Sequence, residues 1–425
     1  MRIIKNRAKA ILAKFKPQII AVTGSIGKTS AKEAIALVVS GRFSVRTAEK
    51  NYNNEFGVPL TILGEQSPGR SIFGWLRLIL RSYRINEYPD ILVLEFGADH
   101  PGDIEYLCNL APPSIGVVTG LSTIHAEFFT SAEDLAQEKA QLVSCLPEDG
   151  VAILNADDHR VEQMRDQTRA SVRTFGIKSN DFSVENIQIS TRCDLEFDPG
   201  EQFAITEADV VQGGVKIGQL KLINSLGYAP VMACLAALVV ANSLDLSLEK
   251  SISTLNNTFR PSPGRLNPIA GIKGSLIIDD SYNAAPTAVL NGLDILKMFS
   301  PGEEEDRRIA VLGSMAELGQ YSEQEHRQIG FRVAEVADAF IAVGDDMRVA
   351  VDAAKEAGME PDSIEWFTNS VEAGRYLDRF IQEGDVVFVK GSQSSRMEKV
   401  VKDIMAEPLR ASELLVRQEG KWLGE

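Results

Sequence analysis

From Gln18 onward, short apolar runs alternate with stretches in which apolar positions recur every three or four residues. The runs IIAVTG (19–24), ILVLEFGA (91–98), IGVVTG (115–120) and VAILNADD (151–158) give way to Gly, Asn or Asp, as strands do where they leave a sheet. With helical patterns between them they predict βαβ units and a mostly parallel sheet. Residues 181–225 read differently. FSVENIQIS, CDLEFDPGEQFAI and GGVKIGQLKLI are alternating runs broken by turn residues, which predicts an antiparallel patch in or beside the first domain. Ala229 to Leu244 reads as a helix, and Arg260-Pro-Ser-Pro-Gly-Arg265 breaks the pattern as a linker would. Beyond it SLIIDD, RRIAVLG, AFIAVG and DVVFVKG resume the alternation, predicting a second, doubly wound α/β unit. The expected organisation is a leader helix over 1–16, a central domain over 17–260 and a C-terminal α/β domain over 261–425. In such sheets ligands bind beyond the carboxyl ends of the strands, which is where chemistry is sought below.

The leader carries its own pattern. Residues 1–16 hold six Lys or Arg and no acid, with Ile4, Ala8, Ile11, Leu12 and Phe15 on one helical face. Ser71 to Arg84 (SIFGWLRLILRSYR) is a second amphipathic stretch with three arginines. Both are expected to pack on the protein's own flank, with weak contact to a membrane surface as the alternative.

Composition narrows the field. At 425 residues, more than one domain is expected, and 44% hydrophobic with 24% charged residues is ordinary for a folded chain. A formal charge of -15 argues against nucleic acid as a partner. Cys108, Cys145, Cys193 and Cys234 are far apart in sequence without CxxC spacing, as buried thiols in a reducing compartment are. No transmembrane run or signal peptide is apparent, so the expected location is the cytoplasm.

The sharpest local signal is Thr23-Gly24-Ser25-Ile26-Gly27-Lys28-Thr29-Ser30, between a buried strand and a helix beginning near Thr29. It reads as a phosphate-binding loop. Glycines let backbone N–H groups approach phosphate, Lys28 reaches the terminal phosphates, and the Thr29 hydroxyl can hold Mg²⁺. Glu95, His125 and Lys139 each lie at or beyond the end of an expected strand, and a carboxylate there can hold Mg²⁺ against a nucleotide.

These pieces sit among longer motifs: NYNNEFGVPLTIL (51–63), LEFGADHPGDIEYL (94–107), HAEFF (125–129), EKAQLV (138–143), ILNADD (153–158), PSPGRL (261–266), IIDDSYNAAPTAVL (277–290), RRIAVLGSMAELG (307–319) and VKGSQSSRMEKVV (389–401). In them the chain resembles the Mur ligases, and within that family the branch that adds D-alanyl-D-alanine, from about Gln18 to the end. The resemblance implies a P-loop ATPase central domain, a Rossmann-like C-terminal domain and a two-step, ATP-dependent ligation. The terminal carboxylate of UDP-N-acetylmuramoyl-tripeptide takes the γ-phosphoryl of ATP, and the amine of D-alanyl-D-alanine displaces phosphate. It further implies two Mg²⁺ ions on Thr29, Glu95, His125 and Lys139, the lysine being carbamylated and so anionic. Gly24, Ser25, Ile26, Gly27, Lys28, Thr29 and Ser30 would hold phosphates, Asp280 the ribose, with Tyr282 and Asn283 near the nucleotide. Arg265 would reach the γ-phosphate when the domains close. Asn53, Asn54, Lys390, Ser392 and Arg396 would face the other substrates, and the enzyme would act as a monomer.

The family pattern is not followed everywhere. Its members begin with a separate domain for the uridine nucleotide, whereas here the first strand opens at Gln18, so the uridine end would be held differently or the substrate would differ. Gly227-Tyr228-Ala229-Pro230 stands where the family has Gly-x-His-Asn near adenine, and Ile26 stands for an Asn. The competing expectations are a folylpolyglutamate synthase-like ligase and a non-catalytic ATP-binding protein at the membrane surface.

Overall fold

The computed structural model describes residues 2–48, 52–121, 129, 131–192, 197–299, 307–419 and 422. Its contacts divide the chain into two units: 1–187, 207–221 and 228–259 in one, and 188–206, 222–227 and 260–425 in the other.

The chain opens with α1 (Arg2–Phe15) and enters β1 (Gln18–Thr23), α2 (Lys28–Val39), β2 (Val45–Thr47), α3 (Gly57–Leu63), α4 (Ile72–Ser82) and β3 (Ile91–Glu95). There follow α5 (Asp103–Leu110), β4 (Ile115–Val118), α6 (Ala132–Ser144), β5 (Val151–Asn155), α7 (His159–Glu162) and β6 (Ser171–Phe175). Then come β7 (Phe182–Thr191), β8 (Ala204–Gln212), β9 (Val215–Ile223), α8 (Tyr228–Ser243) and α9 (Leu248–Thr258). The strands form one sheet in the order β2-β3-β1-β4-β5-β6-β7-β8-β9. β1 to β6 run parallel, and the apolar runs of β1, β3, β4 and β5 are buried as helices on each side demand. The antiparallel expectation for 181–225 takes a definite form. Gly213 and Gly214 both have positive φ and join β8 to β9 in a two-residue turn, and the patch continues the parallel sheet at its edge.

α8 is apolar all round, with Val231 to Ala241 buried, because it packs on α2 inside the unit rather than at its surface. α1 lays Ile4, Ala8 and Ile11 into the core that Val58, Leu78 and Leu94 share, with Leu12 and Phe15 packed against it. α4 packs on the flank as expected, but by one side only: Leu78 and Ser82 are buried with Trp75 and Ile79 against the core, and Ile72, Phe73, Leu76 and Leu80 face outward. Cys108 and Cys234 are buried as expected, and Cys145 departs from that. Cys145 is exposed, and its sulfur lies 2.6 Å from that of buried Cys108, which α5 and α6 bring together. Cys193 is outside the described residues.

The second unit carries β10 (Asn267–Ala270), β11 (Leu276–Asp280), α10 (Pro286–Met298), β12 (Arg308–Gly313), α11 (Ser322–Val336) and β13 (Ala339–Val343). After these come α12 (Met347–Glu356), β14 (Ile364–Phe367), α13 (Ser370–Phe380), β15 (Val386–Lys390), α14 (Glu398–Ile404) and α15 (Ala411–Leu414). Its sheet runs β10-β11-β15-β12-β13-β14, parallel except for β10. The close approach of α10 to β15 rests on Gly292, where a Cβ would stand 2.1 Å from the Phe388 ring.

Candidate functional site

The register of the first sheet assembles the site. β1 pairs with β3 so that Val22 lies beside Glu95, and with β4 so that Thr23 lies beside Val118. The phosphate loop, Glu95 and Thr119-Gly120 therefore emerge together at the carboxyl ends of three adjacent strands. Gly24 has φ +140°, and a Cβ there would meet the Thr119 Oγ1 at 2.2 Å. Gly27, at φ +81°, opens α2.

Two N–H groups of the loop already have a partner. Those of Ser25 and Ile26 both donate to the Gly120 carbonyl, at 2.7 and 3.2 Å, and the Thr119 hydroxyl donates to the Ile26 carbonyl at 2.6 Å. Lys28 Nζ donates to the Ser25 carbonyl at 3.3 Å, curling back over the loop. The Thr29 hydroxyl donates to Glu95 Oε2 at 3.0 Å, and Asn53 Nδ2 to Glu95 Oε1 at 3.1 Å. Thr29 and Glu95 are buried, so a hydroxyl and a carboxylate converge with both oxygens of the acid occupied. Among the described residues no group of three or more His, Cys, Asp or Glu gathers as a transition-metal site would. A hydroxyl and a carboxylate, both hard oxygen donors, fit Mg²⁺, which keeps waters and takes phosphate oxygens for its remaining positions.

Lys139 on α6 is 3% exposed. Burial, with Lys28 nearby, pulls its ammonium down to about 7, against the opposing pull of Glu138, Asp99 and Asp103. Glu138 is taken up elsewhere, accepting from the backbone N–H groups of Gly102 and Ile104 at 2.8 Å each at the start of α5. At this value amine and ammonium are present in about equal amounts near neutral pH. His125 lies outside the described residues. Asn54 serves its own backbone, its Oδ1 accepting from the N–H groups of Phe56 and Gly57 at the start of α3.

In the second unit Lys390 and Asp280 form a buried ion pair where β15 and β11 end side by side, and Lys390 Nζ also donates to the Asn283 carbonyl at 2.8 Å. Asp280 Oδ1 accepts from the Leu266 N–H at 3.3 Å. Neighbouring Asp279, which burial pushes up to about 6, accepts from the N–H groups of Gly264 and Ser281. Arg265 lies over the Tyr282 ring, 4.3 Å from its centroid. Arg396, in the left-handed region at φ 54°, is bound to buried Glu398, which also takes Arg417. Ser392 turns its N–H to the Ser314 carbonyl and its hydroxyl to Ser394 and Ser395. Lys390 thus joins the Asp280 cluster, with Asp280 and the Asn283 carbonyl as its partners.

A model of the Mur ligase middle domain matches residues 22–208, and one of the Mur ligase, glutamate ligase domain matches residues 264–393. UDP-N-acetylmuramoyl-tripeptide--D-alanyl-D-alanine ligase of Escherichia coli (strain K12) is 31% identical over 394 residues, covering 91% of this chain and 76% of that protein. The chain belongs to the Mur ligase family. Solved Mur ligases share its fold. MurF from Thermotoga maritima, in complex with ADP, superposes with a TM-score of 0.73 at 25% identity, over 94% of this chain and 82% of its own. MurF from Acinetobacter baumannii gives 0.74 at 24% identity, over 94% and 79%.

Some contributors escaped the sequence reading of this Mur ligase. Thr119 and Gly120, which hold the loop, stand at the end of a recognised run, so the strand-end rule alone points to them. Glu138, which braces α5 beside Lys139, carries no such signal, since an acid in a helix is ordinary. At the altered segment 227–230, the Tyr228 hydroxyl donates to Asp157, whose carboxylate also accepts from the N–H groups of Ile177 and Lys178.

Proposed function

We propose that the chain joins UDP-N-acetylmuramoyl-tripeptide to D-alanyl-D-alanine at the expense of ATP, through an acyl phosphate, as a monomer in the cytoplasm. The observation that carries this reading is the buried convergence of Thr29, Glu95 and Asn53 beside Lys28, with neutral-prone Lys139 close by. In the first step a carboxylate oxygen of the tripeptide bonds to the γ-phosphorus of ATP as the bond to ADP breaks. In the second the dipeptide amine bonds to the acyl carbon, loses a proton, and inorganic phosphate leaves. Such transfers are governed by positioning and charge neutralisation.

Lys28 swings from the Ser25 carbonyl to the phosphates and contributes positive charge to them. Thr29 and Glu95 would hold one Mg²⁺ and His125 would serve a second. When bound, Mg²⁺ screens the negative charge of the phosphoryl group in transfer. Asn53 orients the Glu95 carboxylate and is offered, with Asn54, to the tripeptide side. An uncharged amine is the form of lysine that reacts with CO₂, so the depressed value of Lys139 supports its conversion to a carbamate, which attracts a cation where an ammonium repels one. In the second unit we assign Asp280 to ribose hydroxyls, Tyr282 and Asn283 to the nucleotide's surroundings, and Arg265 to the γ-phosphate. Lys390, Ser392 and Arg396 are assigned to the dipeptide side, with Lys390 also steering Asp280.

The test is phosphate release in the presence of Mg-ATP and UDP-N-acetylmuramoyl-tripeptide, with and without D-alanyl-D-alanine. Release that requires all three, with the joined product seen by mass, is the expected result. Release with a folyl substrate and glutamate instead would replace this reading with the folylpolyglutamate one, which the relatives' similarity disfavours.

A further inference from the structure

One surface of the first unit is left without a role by the ligase chemistry. α4 begins on Ser71, whose hydroxyl accepts from the Gly74 N–H, and it has two apolar faces where a surface helix needs one. The inner face, Leu78 with Trp75 and Ile79, packs into the core. The outer face is Ile72, Leu76, Tyr83, Leu80 and Phe73. At 100° per residue they fall within an arc of about 100°. Ile72 is 81% exposed, Phe73 85%, Leu76 54%, Leu80 58% and Tyr83 64%. Arg77 and Arg81 on the helix and Arg84 in the turn after it continue the next arc and are exposed, Arg81 lying 3.7 Å from Glu65.

Charge separates this surface from the rest of the molecule. Residues 1–16 and 66–86 contain no acid and ten of the 44 Lys and Arg, in a chain of net charge -15. α1 lies beside α4: Arg7 donates to the Ser82 carbonyl at 2.8 Å and sits over the Tyr83 ring, while Lys14 donates to the Ile85 carbonyl. The leader helix therefore braces α4 from one side and adds positive charge next to it.

We propose that α4 is an in-plane anchor that seats the enzyme on an anionic lipid bilayer. The convex apolar arc enters the boundary between headgroups and acyl chains. The adjoining arginines extend their long stems and leave their guanidinium groups among lipid phosphates. A second copy of the chain docking through the same face would set this arginine row against its own image, which like charge opposes. A fluid anionic surface meets both the apolar arc and the charge.

Full-length protein is sedimented with phosphatidylcholine vesicles, with and without phosphatidylglycerol. Binding is expected only to the mixed vesicles, weakening as salt rises. Phe73→Ser with Leu76→Ser, and separately Arg77→Glu with Arg84→Glu, should each lower partitioning on the order of ten-fold or more. Ligase activity on soluble substrates and Tm should stay at the parent values. Equal binding of parent and variants, or no binding of the parent, overturns the proposal. So does a concentration-dependent dimer, seen by ultracentrifugation and abolished by Leu76→Ser, in a parent that ignores vesicles.

Discussion

Lys28 Nζ donates to the loop carbonyl of Ser25, a contact a bound phosphate can replace without disturbing the apolar core. Lys28→Ala is expected to abolish phosphate release while leaving the circular dichroism spectrum and Tm unchanged; a folded variant with parental turnover would remove the phosphate-loop assignment. Lys139 makes a prediction through pH. Its folded value, about 7, lies below the ordinary lysine value of 10.5, so between those limits the unfolded chain binds more protons than the native one. Stability of unmodified protein should therefore rise with pH across that window, by at most ~1.4 kcal/mol per pH unit. Urea unfolding in CO₂-free buffer should show this slope for the parent and not for Lys139→Met. An identical slope in both would show that the lysine titrates normally. Bicarbonate should flatten the parental slope and add the mass of one CO₂ in native mass spectrometry. Gly24→Ala forces a methyl group onto the Thr119 hydroxyl at a backbone angle that favours glycine, at a cost of about 1 to 3 kcal/mol. Thr119→Ala in the same molecule should recover part of that loss, read as Tm.

At the scale of elements, α1 is a structural strut. Removing residues 1–16 withdraws Ile4, Ala8 and Ile11 from the core, and a fall in Tm on the order of 10 °C is expected, with KM and kcat little changed. An unaltered Tm would show that the leader contributes nothing to the fold. The apolar face of α1 was legible because five residues share one side of a helix with no competing pattern. That α4 packs on the flank was legible too, but not which side does so: its apolar residues cover most of the circumference, and periodicity does not say which half faces the core. Strands β1, β3, β4 and β5 announced themselves as unbroken apolar runs, as did β11, β12, β13 and β15. β2, β10 and β14 did not. They have three or four residues, and β10 contains Pro268, so each is held by its neighbour in the sheet rather than by its own composition. The site followed the same rule. Lys28, Thr29 and Glu95 end recognisable strands or open a helix, whereas the tie between Lys390 and Asp280 joins residues 110 positions apart and exists only through strand pairing.

Each unit has a buried core of its own, one around β1, β3 and β4 in the first and one around β11, β12 and β15 in the second. Trp75 belongs to the first unit and Trp366 to the second, so variants keeping one tryptophan report each separately. Distinct unfolding midpoints are expected, with Mg²⁺ and a non-hydrolysable ATP analogue raising the Trp75 midpoint more. Coincident midpoints, shifted equally by ligand, would show instead that the chain unfolds as one cooperative body. The order of strands carries one more consequence. The first sheet ends in three-residue β2 on one side and in β9 on the other, where Lys216 and Lys221 pair with Asp209 and Glu207. The second ends in β10, which Pro268 interrupts, and in four-residue β14. Short, charged or proline-bearing margins offer little hydrogen-bonding template to an incoming strand. None of these four margins therefore invites the edge-to-edge growth that turns a folded protein into a fibre, and concentrated native solutions should remain free of thioflavin-positive aggregates.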